Sequence, residues 1–153
     1  MHNGAEYLRE SIESCLAQTF RNWELIVVND CSTDESGAIA EEYAAMDERI
    51  RVIHNETNLK LPASLNVGFR QAKGEYLTWT SDDNLYLPHA LQRMIDFLRE
   101  QPEYAMFATR TNPWMALTTS WLGNNSRLRI FSSKLSRTLS AEMCDFLCFM
   151  LLS

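Results

Sequence analysis

Two adjacent aspartates, Asp82 and Asp83, follow the strand-like segment EYLTWTS at residues 75–81, and a third, Asp30, follows the apolar run ELIVVN at residues 24–29. Paired carboxylates at the end of such a segment suit a hard divalent cation. Such an ion seeks oxygen ligands and often takes only one or two carboxylates, filling its shell with phosphate oxygens and water. A cation held there stabilises the negative charge that builds on a diphosphate leaving group. An Asp-Asp step is also a common solvated turn or helix cap, so the pair alone assigns no function.

The elements that must carry these residues are readable from periodicity. Residues 4–19 place Ala5, Leu8, Ile12, Cys15 and Leu16 at helical spacing, with Asn3 as the expected cap. ELIVVN at 24–29 is a β-branched, nearly continuous apolar run, which suits a strand buried on both faces of a parallel sheet. The turn DCSTDES leads into a helix reaching about Met46, with Ser32, Thr33 and Asp34 as capping residues. A strand is expected at 50–54 and a loop at 54–62. A helix then opens at Pro62, where the missing N–H costs little. Further strands are expected at 75–80 and 104–109, with a helix from Pro88 between them. Strands alternating with helices imply an α/β layered domain with a mainly parallel sheet. In open sheets of that kind ligands bind beyond the carboxyl ends of the strands, where Asp30 and Asp82-Asp83 both fall.

Several ordered motifs then carry a resemblance. NGAEYLRESIESCLAQTF, NWELIVVNDCSTDES and KGEYLTWTSDDNLYLP resemble the YNxxxYL and SxLxQT helix, the ELIVVDDxSTD strand and turn, and the GEY-strand-xDD segment of family 2 glycosyltransferases. The last is closest to bacterial enzymes related to the spore-coat polysaccharide glycosyltransferase. The resemblance implies a GT-A fold, a Rossmann-like nucleotide-diphospho-sugar transferase sheet with flanking helices. It implies transfer of a sugar from a nucleotide donor, a UDP-sugar, to a hydroxyl on a saccharide or lipid-linked acceptor, with inversion, using Mn²⁺ or Mg²⁺ at a DxD-type motif. By position, Asp30 would meet the base, Asp82 the ribose and Asp83 the metal, with Asp82 beside it. Asn3 and Lys60 are nucleotide-side candidates, and Asn84 and Asn66 candidates for bracing the site. Lys60 reads more readily as a solvated loop lysine than as a nucleotide contact. Cys31 replaces the family's Gly or Asn and is expected only to pack, and Trp23 and Trp79 read as core aromatics.

The pattern also departs from the family. Its first strand, of the type VSVIIPxYN, has no counterpart, because Met1-His2 stand directly before Asn3. That strand lies between those carrying Asp30 and Asp82-Asp83, so two unpaired edges are expected in mid-sheet. Native stability is only about 5–15 kcal/mol, so such a gap would be costly. The aromatic that stacks on the base falls at His2, close to a chain end where residues usually fray. No general base or acceptor pocket can be matched to residues 111–153, a Ser-, Leu- and Arg-rich tail without sustained periodicity. The expected organisation is a partial GT-A domain at 1–110 and an atypical, foreign or out-of-frame tail at 111–153. That makes the chain a fragment cut at both ends that carries donor-site residues only and is not expected to catalyse the transfer by itself. The alternative is a non-catalytic nucleotide-binding or interaction module, joined by a second chain that supplies a strand. A phospho-acceptor signalling domain fits poorly, because no lysine follows the strand at 104–109 until Lys134.

Bulk properties agree. A net charge of −6 disfavours nucleic acid as a partner, which wants a basic face. The four cysteines and three histidines have no metal-site spacing and read as reduced thiols and isolated imidazoles. The longest apolar run, 146–152, is far below the ~20 residues of a membrane span. A cytoplasmic location is expected, with peripheral attachment to the inner membrane face left open.

Overall fold

The structure is a computed structural model and describes residues 1–100, 106–109, 118–122 and 148–152. Its elements run α1 (Ala5–Leu16), β1 (Trp23–Asn29), α2 (Ser36–Met46), β2 (Ile50–His54), α3 (Lys60–Gln71), β3 (Tyr76–Thr80), α4 (Ala90–Glu100), β4 (Met106–Thr109), β5 (Thr118–Leu122) and β6 (Cys148–Leu152). The expected alternation holds through β4, with ends displaced by a few residues. Residues 104 and 105 of the expected fourth strand lie outside the described residues.

Six strands form one sheet in the order β2-β1-β6-β3-β5-β4. β1 and β2 pair in parallel, while β5 and β6 run antiparallel to their neighbours. β1, β2, β3 and β4 therefore share one direction. The apolar run in β1 is explained by its two covered faces. Trp23, Leu25 and Val27 pack with Leu8 and Ile12 of α1, Ile39 and Tyr43 of α2, and the α4 stripe Leu91, Met94, Ile95 and Leu98. Ile26 and Val28 face the other way, toward Leu61, Leu65 and Phe69 of α3. Each such side chain, fully buried, contributes about 1.5–3 kcal/mol. Trp23 and Trp79 are core aromatics on opposite faces, as expected, and the Arg49 guanidinium lies 3.8 Å from the Trp23 ring centroid.

The gap expected in mid-sheet is not there. β6 lies between β1 and β3, pairing Trp23 to Ile26 on one side and Tyr76 to Thr80 on the other. Just above it Met1 completes the lane. Its amino group donates to Val28 O at 2.6 Å and its carbonyl accepts the Asp30 N–H at 2.7 Å, which is the pattern of one parallel bridge. Met1 is buried, and His2 is held rather than frayed, with Nδ1 2.8 Å from Asp30 O. The tail lacked a readable period, yet it supplies the backbone hydrogen bonds that these two strand edges require.

Candidate donor site

The turn after β3 carries the acidic pair. The Asn84 N–H closes it onto Ser81 O at 3.3 Å, so Asn84 braces the turn with its backbone. Asp83 is exposed, whereas Asp82 is fully buried. Asp82 Oδ1 accepts from Ser81 Oγ at 3.4 Å, a long bond, and Oδ2 has no hydrogen-bond partner among the described residues. Burial pushes the Asp82 carboxyl up to about 7; the Met1 amino group opposes this and the Asp83 charge adds to it. An unpartnered acceptor so deeply buried is costly, and native proteins keep few of them.

Gly4 forms the wall against which Asp82 packs. A β-carbon there would stand 2.6 Å from Asp82 Cγ and closer still to Oδ2. Gly4 has an ordinary negative φ, so space and not backbone freedom requires glycine. It is also the N-cap of α1, which has no side-chain cap. The expectation that Asn3 caps this helix is therefore corrected. Asp34 Oδ2 takes the Ala5 N–H at 3.1 Å and Ser36 Oγ the Gly4 N–H at 2.9 Å. Asn3 adopts φ 58° and turns its Oδ1 to the Thr33 N–H at 2.8 Å, while its own N–H donates to Ser32 Oγ. Of the residues expected to cap α2, only Asp34 reaches that helix, accepting the Ser36 N–H at 3.0 Å.

Asp30 is almost entirely buried at the end of β1. Its Oδ1 accepts from Asn55 Nδ2 and the Leu59 N–H, both at 2.8 Å, and its Oδ2 accepts the Lys60 N–H at 2.9 Å. Burial alone would raise its pKa, but bonds from Asn55, Leu59, Ser64 and Lys60 outweigh it and hold the carboxyl below its usual value. Asp30 thus anchors the start of α3. A carboxylate offers about four acceptor positions, and these four groups account for them. Lys60 begins α3 at φ 65° and is exposed, and Cys31 has φ 59°; both are left-handed positions that favour glycine or asparagine. Asn66 is exposed and its side chain makes no hydrogen bond among the described residues, and Ser64 accepts from Asn55 at 2.9 Å instead.

Residues whose site role the sequence did not reveal complete the floor. Gln18, fully buried at the end of α1, donates to Leu87 O at 2.8 Å and accepts the Leu91 N–H at 3.1 Å. Ser14 Oγ accepts the Tyr86 N–H at 3.1 Å, and Ser11 Oγ donates to Ser81 O at 3.2 Å. The SxLxQT signature is therefore a clamp on the segment that follows the acidic turn. Its spacing was visible, but its partners lie some seventy residues away along the chain.

Among the described residues no group of three His, Cys, Asp or Glu converges on a metal position. Two carboxylates, one with an unpartnered oxygen, still fit a cation that leaves most of its shell to phosphate and water. No helix among the described residues is long and apolar enough to cross a membrane.

Comparison with known proteins places this geometry. EpsE of Bacillus subtilis (strain 168), named as a glycosyltransferase, is 41% identical over 110 residues, covering 71% of this chain and 40% of EpsE. The crystal structure of S. aureus TarS 1–349 in complex with UDP superposes with a TM-score of 0.61 at 30% identity, over 67% of this chain and 31% of that one. The mannosyltransferase PcManGT of Pyrobaculum calidifontis, solved with GDP-Man and Mn²⁺, gives a TM-score of 0.73 at 16% identity over 80% of this chain and 42% of that one, a likeness of fold. The chain thus spans two-fifths or less of the length of EpsE and TarS. The sheet with helices on both faces is the GT-A fold these transferases share. The model of glycosyl transferase family 2 matches residues 1–152, and this chain belongs to that family.

Proposed function

We propose that the chain forms the donor-binding part of a glycosyltransferase that takes a sugar from a nucleoside diphosphate, a UDP-sugar, and delivers it to a hydroxyl on a saccharide or lipid-linked acceptor. The observation that carries this reading is Asp82, a buried carboxylate with an unpartnered oxygen, set in one tight turn with the exposed Asp83. Asp83, with Asp82 beside it, would hold Mn²⁺ or Mg²⁺. When bound, such a cation neutralises charge on the departing diphosphate. Asp30 would border the base from the end of β1, holding the start of α3 beside it. The Asn3 backbone turn and the Lys60 ammonium would border the nucleotide. The UDP complex of TarS supports a uridine nucleotide.

Calorimetric titration with UDP in the presence and absence of Mn²⁺ tests this. Binding should require the cation and should weaken at least tenfold, ~1.4 kcal/mol, in Asp83→Ala. UDP binding that is equal with and without Mn²⁺, and unchanged in Asp83→Ala, would defeat the reading.

A further inference from the structure

Asn29 ends β1 and His54 ends β2, and the two are paired in register. Asn29 Oδ1 accepts the Ser32 N–H at 3.1 Å, which fixes the orientation of the amide. Its Nδ2 then faces His54 Nδ1 at 3.0 Å. Since Nδ2 only donates, Nδ1 must accept, and the imidazole proton resides on Nε2, 2.8 Å from Glu41 Oε1. The amide is confined from behind, because a β-carbon on Gly37 would stand 2.9 Å from Nδ2. Glu41 is the charged side chain paired with His54. The other charged groups nearby are engaged elsewhere: Glu42 with Arg9, Arg51 with Glu24, and Asp30 with Asn55, Leu59 and Lys60.

From Ser32 the chain of contacts continues into the donor site. Ser32 Oγ holds the Asn3 N–H at 3.1 Å, Thr33 bonds Asn3 Oδ1, and Ser36 Oγ holds Gly4, the wall of Asp82. We propose that Glu41, His54 and Asn29 form a proton-sensitive positioning relay that sets the turn at residues 31–36 and, through it, Asn3 and Gly4 against Asp82. A neutral His54 holds the relay. A proton on Nδ1 would point at the amide hydrogens of Nδ2, turn the amide and release Ser32. The link to donor binding rests on the function proposed above, while the relay itself does not.

Asn29→Asp tests it by inverting its sign. A carboxylate accepts on both oxygens, so Asp at this position needs a protonated Nδ1 to bridge it. In the parent chain, acidification should loosen the turn; in Asn29→Asp it should tighten it. The readouts are the His54 ring-nitrogen signals and the backbone amide signals of Ser32, Asn3 and Gly4 by NMR, none of which needs nucleotide. With UDP and Mn²⁺ present, the ratio of variant to parent affinity should rise about tenfold on acidification, the worth of one charge-assisted hydrogen bond. The Asp82 titration is common to both proteins and cancels in that ratio. Asn29→Asp with His54→Gln supplies an amide donor without proton uptake, so the inversion should vanish. A proton on Nδ1 at the alkaline end, or amide signals that move alike with pH in parent and Asn29→Asp, overturns the relay. Failure of UDP to bind while the signals invert counts against the donor-site reading alone.

Discussion

Gly4 and Asp82 are packed so closely that a β-carbon on residue 4 would fall on the Asp82 carboxylate. A methyl group forced into so close a contact typically costs about 1–3 kcal/mol. Gly4→Ala should therefore lower the unfolding free energy by that amount and weaken binding of UDP with Mn²⁺. The double variant Gly4→Ala/Asp82→Ala should recover part of the loss, because the obstacle is gone. Denaturant unfolding of the four proteins in the cycle checks this, and strict additivity would show that the two residues do not press on each other.

The buried Asp82 carboxyl makes a signed prediction about pH. Its native pKa of about 7 lies above the ordinary 3.8. The native state therefore retains a proton that the unfolded chain releases first. Its contribution to stability is full below about pH 4, falls as pH rises to about 7, and stays low above that. The total is on the order of a few kcal/mol. Asp82→Asn should flatten this decline, so the variant gains on the parent as pH rises. Cation binding must run the other way, since a metal ligand has to be deprotonated. Parallel stability curves for parent and Asp82→Asn would remove Asp82 as the titrating group.

Asp30 behaves oppositely. Its carboxyl is held below the ordinary value, so its contribution is present above about pH 4 and is lost as pH falls through the lower native value. Asp30→Asn turns an NH₂ group toward backbone donors and should cost about 1–3 kcal/mol near neutrality. The cost should centre on the start of α3, so hydrogen exchange at Leu59 and Lys60 should speed up more than exchange in β1.

Gln18 carries the same logic to the acidic turn. Gln18→Ala leaves the buried Leu91 N–H without its partner, while Leu87 O keeps the Ala90 N–H at 2.9 Å. A buried donor so orphaned costs about 1–3 kcal/mol. Thermal unfolding should register the loss, and UDP affinity should fall although Gln18 lies outside the proposed donor contacts. Unchanged affinity in a clearly destabilised Gln18→Ala would mean that the clamp supports the fold and not the acidic turn.

What could be read from the sequence follows from where the determining information lay. β1 and β2 were legible because both faces of β1 are covered, which writes an apolar run directly into residues 24–29. The three aspartates stood out because strand ends are where short polar turns begin. Asn3 misled because its side chain had two competing donors, and Asp34 and Ser36 reached the helix end instead. β5 and β6 were not legible, since what defines them is pairing with β1, β3 and β4 and not a local period. The same holds for Ser14 and Gln18, whose motif was visible while its purpose depended on a segment far along the chain.

Lys60 separates backbone strain from charge. An L-residue at φ 65° pays roughly 1 kcal/mol that glycine does not. Lys60→Gly keeps the N–H that binds Asp30 Oδ2 and Asn58 Oδ1, so the anchor of α3 survives. The variant should therefore be as stable as the parent or more stable by up to about 1 kcal/mol. If the ammonium faces a nucleotide phosphate, UDP affinity should drop several-fold, and the drop should shrink as salt screens the charge. Lys60→Gln removes the charge and leaves the strained backbone, so it should lose the same affinity without the gain in stability. A loss in both variants assigns the effect to the charge. A loss in Lys60→Gly alone assigns it to loosening of the loop. Affinity unchanged in both removes Lys60 from the donor site and leaves it a solvated lysine at a position that only its backbone uses.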